Sequence, residues 1–185
     1  MSIHTRIGRV AKRKFQKLYI GFILDKGGAT ELLDEAAYNL SQTAYAGVPE
    51  YGYDRVSLWQ RASSRLGGIL HHVPELTPGA RVLDLGAGDG ILGLLLRHYG
   101  ADVTLADMED WRHPDCKSLE LVLGKAEDGY GLPDGSLDCV VSFNTFEHLD
   151  DPEVTLNEIN RLLKPGGFAY LDFGPLFCSP WGLHA

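Results

Sequence analysis

Two acidic residues flank a glycine turn near the middle of this 185-residue chain, and their charge restricts what the turn could bind. The apolar segment 82–85 contains Asp84, and Asp89 lies in the turn that follows. The glycines of the turn are Gly86, Gly88 and Gly90. Dinucleotide sites space such glycines as G-x-G-x-x-G, but the third would fall here at Ile91. Two carboxylates would also repel a pyrophosphate. The pattern therefore favours a cationic ligand without phosphates.

A third carboxylate, Asp107, ends the apolar segment 103–107, about twenty residues beyond the turn, as in dinucleotide sites. In those sites an acid at this place accepts hydrogen bonds from the ribose hydroxyls. We therefore predict that Asp107 binds a ribose, with Glu109 as a less favoured substitute. The alternatives are a solvated acid at a strand end and a helix cap.

The order of these motifs is similar to that in the class I S-adenosylmethionine-dependent methyltransferases. The resemblance covers residues 81–173, roughly half of the chain, and includes the signature D-x-G-x-G-x-G at residues 84–90. It implies an α/β fold with a Rossmann-like, mostly parallel sheet of strand order 3-2-1-4-5. The implied cofactor is S-adenosylmethionine, whose sulfonium and ammonium groups suit an acidic turn. The cofactor-binding residues that it implies are Asp84, Gly86, Ala87, Gly88, Gly90, Asp107, Met108, Ala126, Glu127, Phe143 and Asn144.

The segment 124–127 stands where members of this family contact adenine through an acidic side chain and a neighbouring backbone N–H. Lys125 occupies a position at which the family commonly has Asp. We therefore expect the Ala126 backbone and the Glu127 side chain to make the adenine contacts. The alternative for both Lys125 and Glu127 is a place in a surface loop.

Residues 137–143 are predicted as the fourth strand of the family's sheet, and the resemblance places Phe143 and Asn144 beside the methionine end of the cofactor. His148 and Glu147 follow this strand and are the candidates for a general base. A base is needed if the acceptor must lose a proton. Alternatively, His148 caps or packs at a helix start, and Glu147 orients neighbouring backbone.

Residues 1–26 differ in charge from the rest of the chain. Seven Lys or Arg and one Asp give them a net charge of +6, and the total of -8 leaves -14 for residues 27–185. Apolar and basic side chains occupy opposite faces of a helical wheel, so we predict a basic amphipathic helix. Such a helix either makes peripheral contact with an anionic membrane or packs on the acidic body. The acidic body argues against nucleic-acid binding.

Residues 27–80 are predicted to be a helical segment that covers the cofactor, as in related methyltransferases. Asp54 is predicted to cap a helix within it. Tyr51 and Tyr53 precede that helix, and they either lie near the methyl donor or take part in ordinary packing.

Residues 81–185 are predicted to form a methyltransferase core that lacks the family's usual last two strands. The strand at residues 168–173 would then have an unpaired edge, which favours association. We expect that edge to pair with another chain, forming an oligomer, or with the tail at residues 174–185. Three separated cysteines and the lack of a signal peptide favour a cytoplasmic protein, with peripheral membrane contact as the other possibility.

The sequence therefore predicts an enzyme that transfers a methyl group from S-adenosylmethionine to a small-molecule or glycan acceptor by in-line displacement. The acceptor atom stays open, and no metal site is predicted. One alternative is a non-catalytic S-adenosylmethionine-binding or regulatory subunit. A less favoured alternative is an oxidoreductase with a nucleotide cofactor.

Overall fold

Six parallel strands form one sheet in the computed structural model, which describes residues 18–20 and 52–174. The strands are β1 (Leu18–Ile20), β2 (Arg81–Leu85), β3 (Asp102–Asp107), β4 (Glu120–Leu123), β5 (Leu137–Phe143) and β6 (Leu163–Asp172). Their spatial order is β1-β6-β5-β2-β3-β4. Counted from β2 onward, this is the order 3-2-1-4-5, so the predicted Rossmann-like topology is confirmed.

In residues 52–174 the structure has three α-helices and three short 3-10 turns between the strands. The helices are α1 (Arg55–His72), α2 (Ile91–Tyr99) and α3 (Pro152–Leu162), and the 3-10 turns are Pro114–Cys116, Ala126–Asp128 and Phe146–His148. The crossover between β3 and β4 contains a 3-10 turn and no α-helix. Its length of about a dozen residues is at the lower limit for a crossover between parallel strands, so little room is left for a helix.

Side-chain caps fix where two of the helices begin. The Asp54 carboxylate accepts hydrogen bonds from the N–H groups of Val56 and Ser57, which confirms the predicted cap of α1. Asp151 does the same at the start of α3, where Pro152 occupies the first turn. These caps satisfy N–H groups that have no partner within the helix.

The sheet is covered on both faces, so its central strands are buried on both sides. On one face, α1 and α2 pack residues such as Ile69 and Leu96 against Val82 of β2. On the other face, Ile159 and Leu162 of α3 pack against Leu83 of β2. The sheet is therefore a rigid support for side chains at the carboxyl ends of its strands.

β1 corrects two predictions about the N-terminal segment and the outer sheet edge. Residues 18–20 were expected within one helix over residues 1–26, yet they form a strand parallel to β6, with Leu18 opposite Ala169 and Ile20 opposite Leu171. An unpaired edge offers a row of N–H and C=O groups, and Leu, Tyr and Ile suit a strand. At these positions the edge therefore pairs with the protein's own N-terminal segment.

Several other predicted features lie outside the described residues. They include the remainder of the predicted N-terminal helix, Tyr51 and the tail at residues 175–185. Within residues 52–174, no helix combines the length and apolar character needed to cross a membrane.

Candidate functional site

The glycine turn after β2 has a backbone that side chains would disturb. Gly86, Gly88 and Gly90 have φ angles of 73°, 52° and 75°, in the left-handed region that favours glycine. The N–H groups of Gly86 and Ala87 both donate to the Ala106 carbonyl, at 2.8 and 3.1 Å, which ties the turn to β3. A Cβ on Gly88 would meet no atom within 4 Å, so this part of the turn is open to a ligand.

Asp107 connects the end of β3 to the same turn. Its Oδ2 accepts a hydrogen bond from the Gly88 N–H at 2.8 Å, and its Oδ1 accepts one from the Met108 N–H at 2.7 Å. A carboxylate can accept about four hydrogen bonds, so both oxygens keep capacity for ribose hydroxyls. Met108 follows with an exposed side chain. Asp107, the residue predicted to bind the ribose, therefore lies beside the glycine turn.

Asp84 is a buried acid at the base of this site. It is 3% exposed, and no donor among the described residues reaches its Oδ2. Burial raises the pKa of Asp84 to about 7, and the negative charges of Asp89 and Asp107 act in the same direction. The Arg65 guanidinium and the Gly93 N–H lower the pKa but do not cancel the effect of burial. A buried oxygen without a partner costs free energy until a ligand satisfies it.

Two arginines of α1, which the sequence analysis did not single out, face these acids. The Arg61 Nη2 lies 3.8 Å from the Asp89 Oδ2. The Arg65 guanidinium lies over the Phe143 ring, 4.8 Å from its centroid. Burial lowers the pKa of Arg65, and the neighbouring Arg61 adds to this effect. Their four-residue spacing on one helix face was the available signal, because such residues lie side by side.

Together these side chains line a small cleft between α1 and the carboxyl ends of β2 and β5. Its lining residues are Leu58, Arg61, Ala62, Arg65, Asp84, Gly86, Ala87, Asp89, Leu92 and Phe143. The lining thus combines arginine and aspartate side chains with apolar ones. These side chains offer partners for both charges of a zwitterionic ligand.

The predicted adenine segment also contributes to the fold. Glu127 accepts hydrogen bonds at its Oε1 from the N–H groups of Asp150 and Asp151, at 2.9 and 3.3 Å. Lys125 pairs with the Asp150 carboxylate at 2.9 Å. Ala126 is buried at the start of a 3-10 turn. The Glu127 Oε2 takes part in neither of these bonds and is the oxygen that could meet an adenine.

The last residue of β5 and the first residue after it are two more of the predicted site residues, Phe143 and Asn144. Phe143 is buried against Tyr170, with ring centroids 5.5 Å apart. Among the described residues, Asn144 is the one non-glycine residue with a left-handed φ, 52°, and its N–H donates to the Asp172 carbonyl at 2.9 Å. Such strained positions cluster at functional sites.

His148 and Glu147 lie in different environments. His148 is exposed, and its backbone N–H donates to the Thr145 carbonyl at 2.9 Å. The Glu147 Oε1 accepts a hydrogen bond from the Gly174 N–H at 3.3 Å, while its Oε2 is buried without a donor among the described residues. The structure thus brings both candidate bases to the carboxyl edge of the sheet.

Comparison with known proteins agrees with this geometry. Residues 83–171 match the family described as "Methyltransferase domain". The malonyl-[acyl-carrier protein] O-methyltransferase of Methylococcus capsulatus is 36% identical over 140 residues, covering 69% of this chain and 50% of that protein. The ubiquinone biosynthesis O-methyltransferase of Xanthomonas campestris pv. campestris is 36% identical over 103 residues, covering 51% and 43%. The chain thus spans about half the length of these curated relatives.

A solved structure shows the same fold. A protein from Pyrococcus horikoshii OT3 superposes with a TM-score of 0.55 at 23% identity, covering 67% of this chain and 63% of that one. The sheet order, the glycine turn with its acids and the matched sequence family all agree. We conclude that residues 83–171 form a class I S-adenosylmethionine-dependent methyltransferase domain.

Proposed function

We propose that this chain binds S-adenosylmethionine in the cleft below α1 and transfers its methyl group to a small-molecule or glycan acceptor. The observation that carries the proposal is Asp84, a buried acid beside the glycine turn with an oxygen that no donor in the described part of the chain reaches. A cationic ligand would compensate this charge, whereas a pyrophosphate would add to the repulsion among Asp84, Asp89 and Asp107.

The described residues fit the parts of S-adenosylmethionine. Asp107 would accept hydrogen bonds from the ribose hydroxyls, and Ala126 with Glu127 would contact the adenine. Asp84 would face the cationic groups. Arg65, which has Asp84 and Phe143 as neighbours, would pair with the carboxylate of the methionine end. This assignment gives each charged group of the cofactor a partner of opposite charge.

Methyl transfer requires mainly alignment from the protein. When bound, S-adenosylmethionine supplies a methyl group already activated by a positively charged sulfur. The sheet edge, the glycine turn and α1 would hold the acceptor in line with that methyl group, which reduces the entropic part of the barrier. Removal of a proton from a hydroxyl acceptor would be the role of His148, and its exposed position allows exchange with solvent.

The acceptor atom that we favour is an oxygen. The two curated relatives are named as O-methyltransferases, one of malonyl-[acyl-carrier protein] and one of ubiquinone biosynthesis. Their acceptors differ from each other, so the names support an oxygen atom without selecting a compound. A glycan hydroxyl stays within the same chemical class.

Two measurements test the proposal. Calorimetry with S-adenosylmethionine, S-adenosylhomocysteine and NAD should give binding of the first two and none of NAD. Incubation with methyl-labelled S-adenosylmethionine and a metabolite extract should label a small molecule. Binding without transfer to any acceptor would favour the non-catalytic subunit, and preference for NAD would favour an oxidoreductase.

The proposed base can be tested once a hydroxyl acceptor is found. His148→Ala should lower turnover by about 10²–10⁴-fold while S-adenosylmethionine binding is retained. His71→Ala is the matched control, because His71 is an exposed histidine in the last turn of α1. Turnover of His148→Ala near that of the control would assign His148 a structural role.

A further inference from the structure

We propose that Asp84 loses a proton when the charged methyl donor binds, and that this makes Asp84 the residue by which the site distinguishes the donor from its neutral product. The inference rests on the proposed function and concerns the same cleft. S-adenosylmethionine carries a sulfonium, whereas S-adenosylhomocysteine carries an uncharged thioether at that position. The two molecules share their adenosine and their methionine-derived zwitterion. Any difference in how Asp84 responds to them therefore reports on the sulfonium charge.

The position of Asp84 isolates its carboxyl group from water. Asp84 is the fourth residue of the central strand β2, opposite Leu105 of β3 on one side and Val141 of β5 on the other. It is 3% exposed, and its Oδ2 has no donor among the described residues. In such surroundings the charged form loses hydration that the described part of the chain replaces only in part.

Charged and polar groups from several neighbouring elements lie near this carboxyl group. Arg65 of α1 favours the ionised form, as does the Gly93 N–H of α2, whereas Asp89 of the turn and Asp107 of β3 oppose it. From β5, the Ser142 hydroxyl donates to the Leu85 carbonyl at 2.9 Å. The pKa of Arg65 is lowered by burial and by the charge of Arg61. It is raised by the charges of Asp84, Asp89 and, from β6, Asp172.

The balance of these effects leaves the Asp84 carboxyl group close to half ionised at neutral pH, because burial raises its pKa to about 7. A positive charge placed nearby favours the ionised form and lowers the pKa. The proton then leaves to solvent. The product keeps the ammonium group but has a neutral thioether in place of the sulfonium, so it lowers the pKa of Asp84 less and leaves more of the carboxyl group protonated.

Thermodynamic linkage gives the direction of the pH dependence. If donor binding releases a proton, donor affinity rises with pH through the range in which free Asp84 ionises. Product affinity rises less. The ratio of the two dissociation constants, product over donor, should therefore increase about tenfold between pH 5.5 and pH 7.5.

Calorimetry with S-adenosylmethionine and S-adenosylhomocysteine as probes tests this inference on the full chain. The binding enthalpy at pH 7 is measured in buffers with different ionisation enthalpies, which gives the number of protons released. We expect about half a proton for S-adenosylmethionine and clearly fewer for S-adenosylhomocysteine, because a group with a pKa near 7 is half protonated at that pH. Equal release for both probes would overturn the inference without using any variant.

Asp84→Asn assigns the proton to its source, because Asn has nearly the same shape and does not titrate. Proton release and the pH dependence of the affinity ratio should disappear in this variant and persist in the control Asp102→Asn, an exposed acid at the start of β3. His113 and His148 are retained in both variants, so release that survives in Asp84→Asn would overturn the inference. Failure of the parent chain to bind S-adenosylmethionine would overturn the proposed function as well, whereas binding with equal proton release would overturn this inference alone.

Discussion

Gly86 is restricted twice, by its backbone angle and by the space around it. A Cβ at this position would overlap the Thr145 side chain, whereas a Cβ on Gly79, whose φ is 89°, would meet no atom within 4 Å. Gly79→Ala should therefore lose about 1–2 kcal/mol of unfolding free energy, the cost of a left-handed backbone. Gly86→Ala should lose clearly more, measured by urea unfolding. Equal losses would mean that the contact with Thr145 relaxes without cost.

Asp107 has two roles that a single substitution removes together. Asp107→Ala should weaken S-adenosylmethionine binding by about 1–3 kcal/mol, because ribose hydroxyls would lose a charged partner. It also removes the acceptor for the Gly88 N–H, so the unfolding free energy should be measured in parallel. Asp102→Ala, at the other end of β3, is the control. Unchanged affinity with lowered stability would leave Asp107 as a structural residue of the turn.

The acids and glycines of the site could be predicted from the sequence, whereas the spacing of the arginines showed that they share a helix face but not that this face borders the site. Asp84, the turn and Asp107 belong to two neighbouring strands with a fixed spacing, so local pattern was sufficient. Arg61 and Arg65 precede β2 by about twenty residues, and their position depends on how α1 packs on the sheet. Sequence periodicity identified the apolar face of α1 but not which polar residues border the cleft.

Glu127 joins the 3-10 turn after β4 to the start of α3. Its Oε1 accepts both backbone hydrogen bonds, which leaves Oε2 for an adenine. Glu127→Gln keeps an oxygen acceptor, so we expect nearly unchanged stability and a loss of about 1 kcal/mol in S-adenosylmethionine binding. Glu127→Ala should lower both quantities. If Glu127→Gln binds the cofactor like the parent, the role of Glu127 is to hold the loop through its backbone hydrogen bonds and not to contact adenine.

The helix predicted for residues 18–20 was wrong because β1 depends on a distant strand. A helical wheel considers the side chains of one segment, whereas strand formation here depends on β6, which lies far away in the sequence. Deletion of residues 1–26 should therefore speed amide hydrogen exchange in β6 at residues 169–171. Exchange in β3, on the other side of the sheet, serves as the control. Unchanged exchange in β6 would show that β1 does not protect this edge.

The net charge of +6 on residues 1–26 contrasts with a net charge of -14 on residues 27–185. A basic segment attracts anionic lipid by about 1 kcal/mol per Lys or Arg near the surface. The basic residues that precede β1 on the predicted polar face are Arg6, Arg9, Arg13 and Lys17. We expect the full chain to sediment with phosphatidylglycerol vesicles at low salt, and to be released when salt screens the charges.

Replacement of these four residues by Gln separates membrane contact from pairing of β1 with the sheet. The variant leaves Leu18–Ile20 unchanged, so β6 should keep its protection in hydrogen exchange. Its affinity for phosphatidylglycerol vesicles should fall by at least a hundredfold, since four attractions of about 1 kcal/mol are removed. Vesicles of phosphatidylcholine alone should bind neither protein. Equal sedimentation of parent and variant with the anionic vesicles would refute membrane contact through these charges.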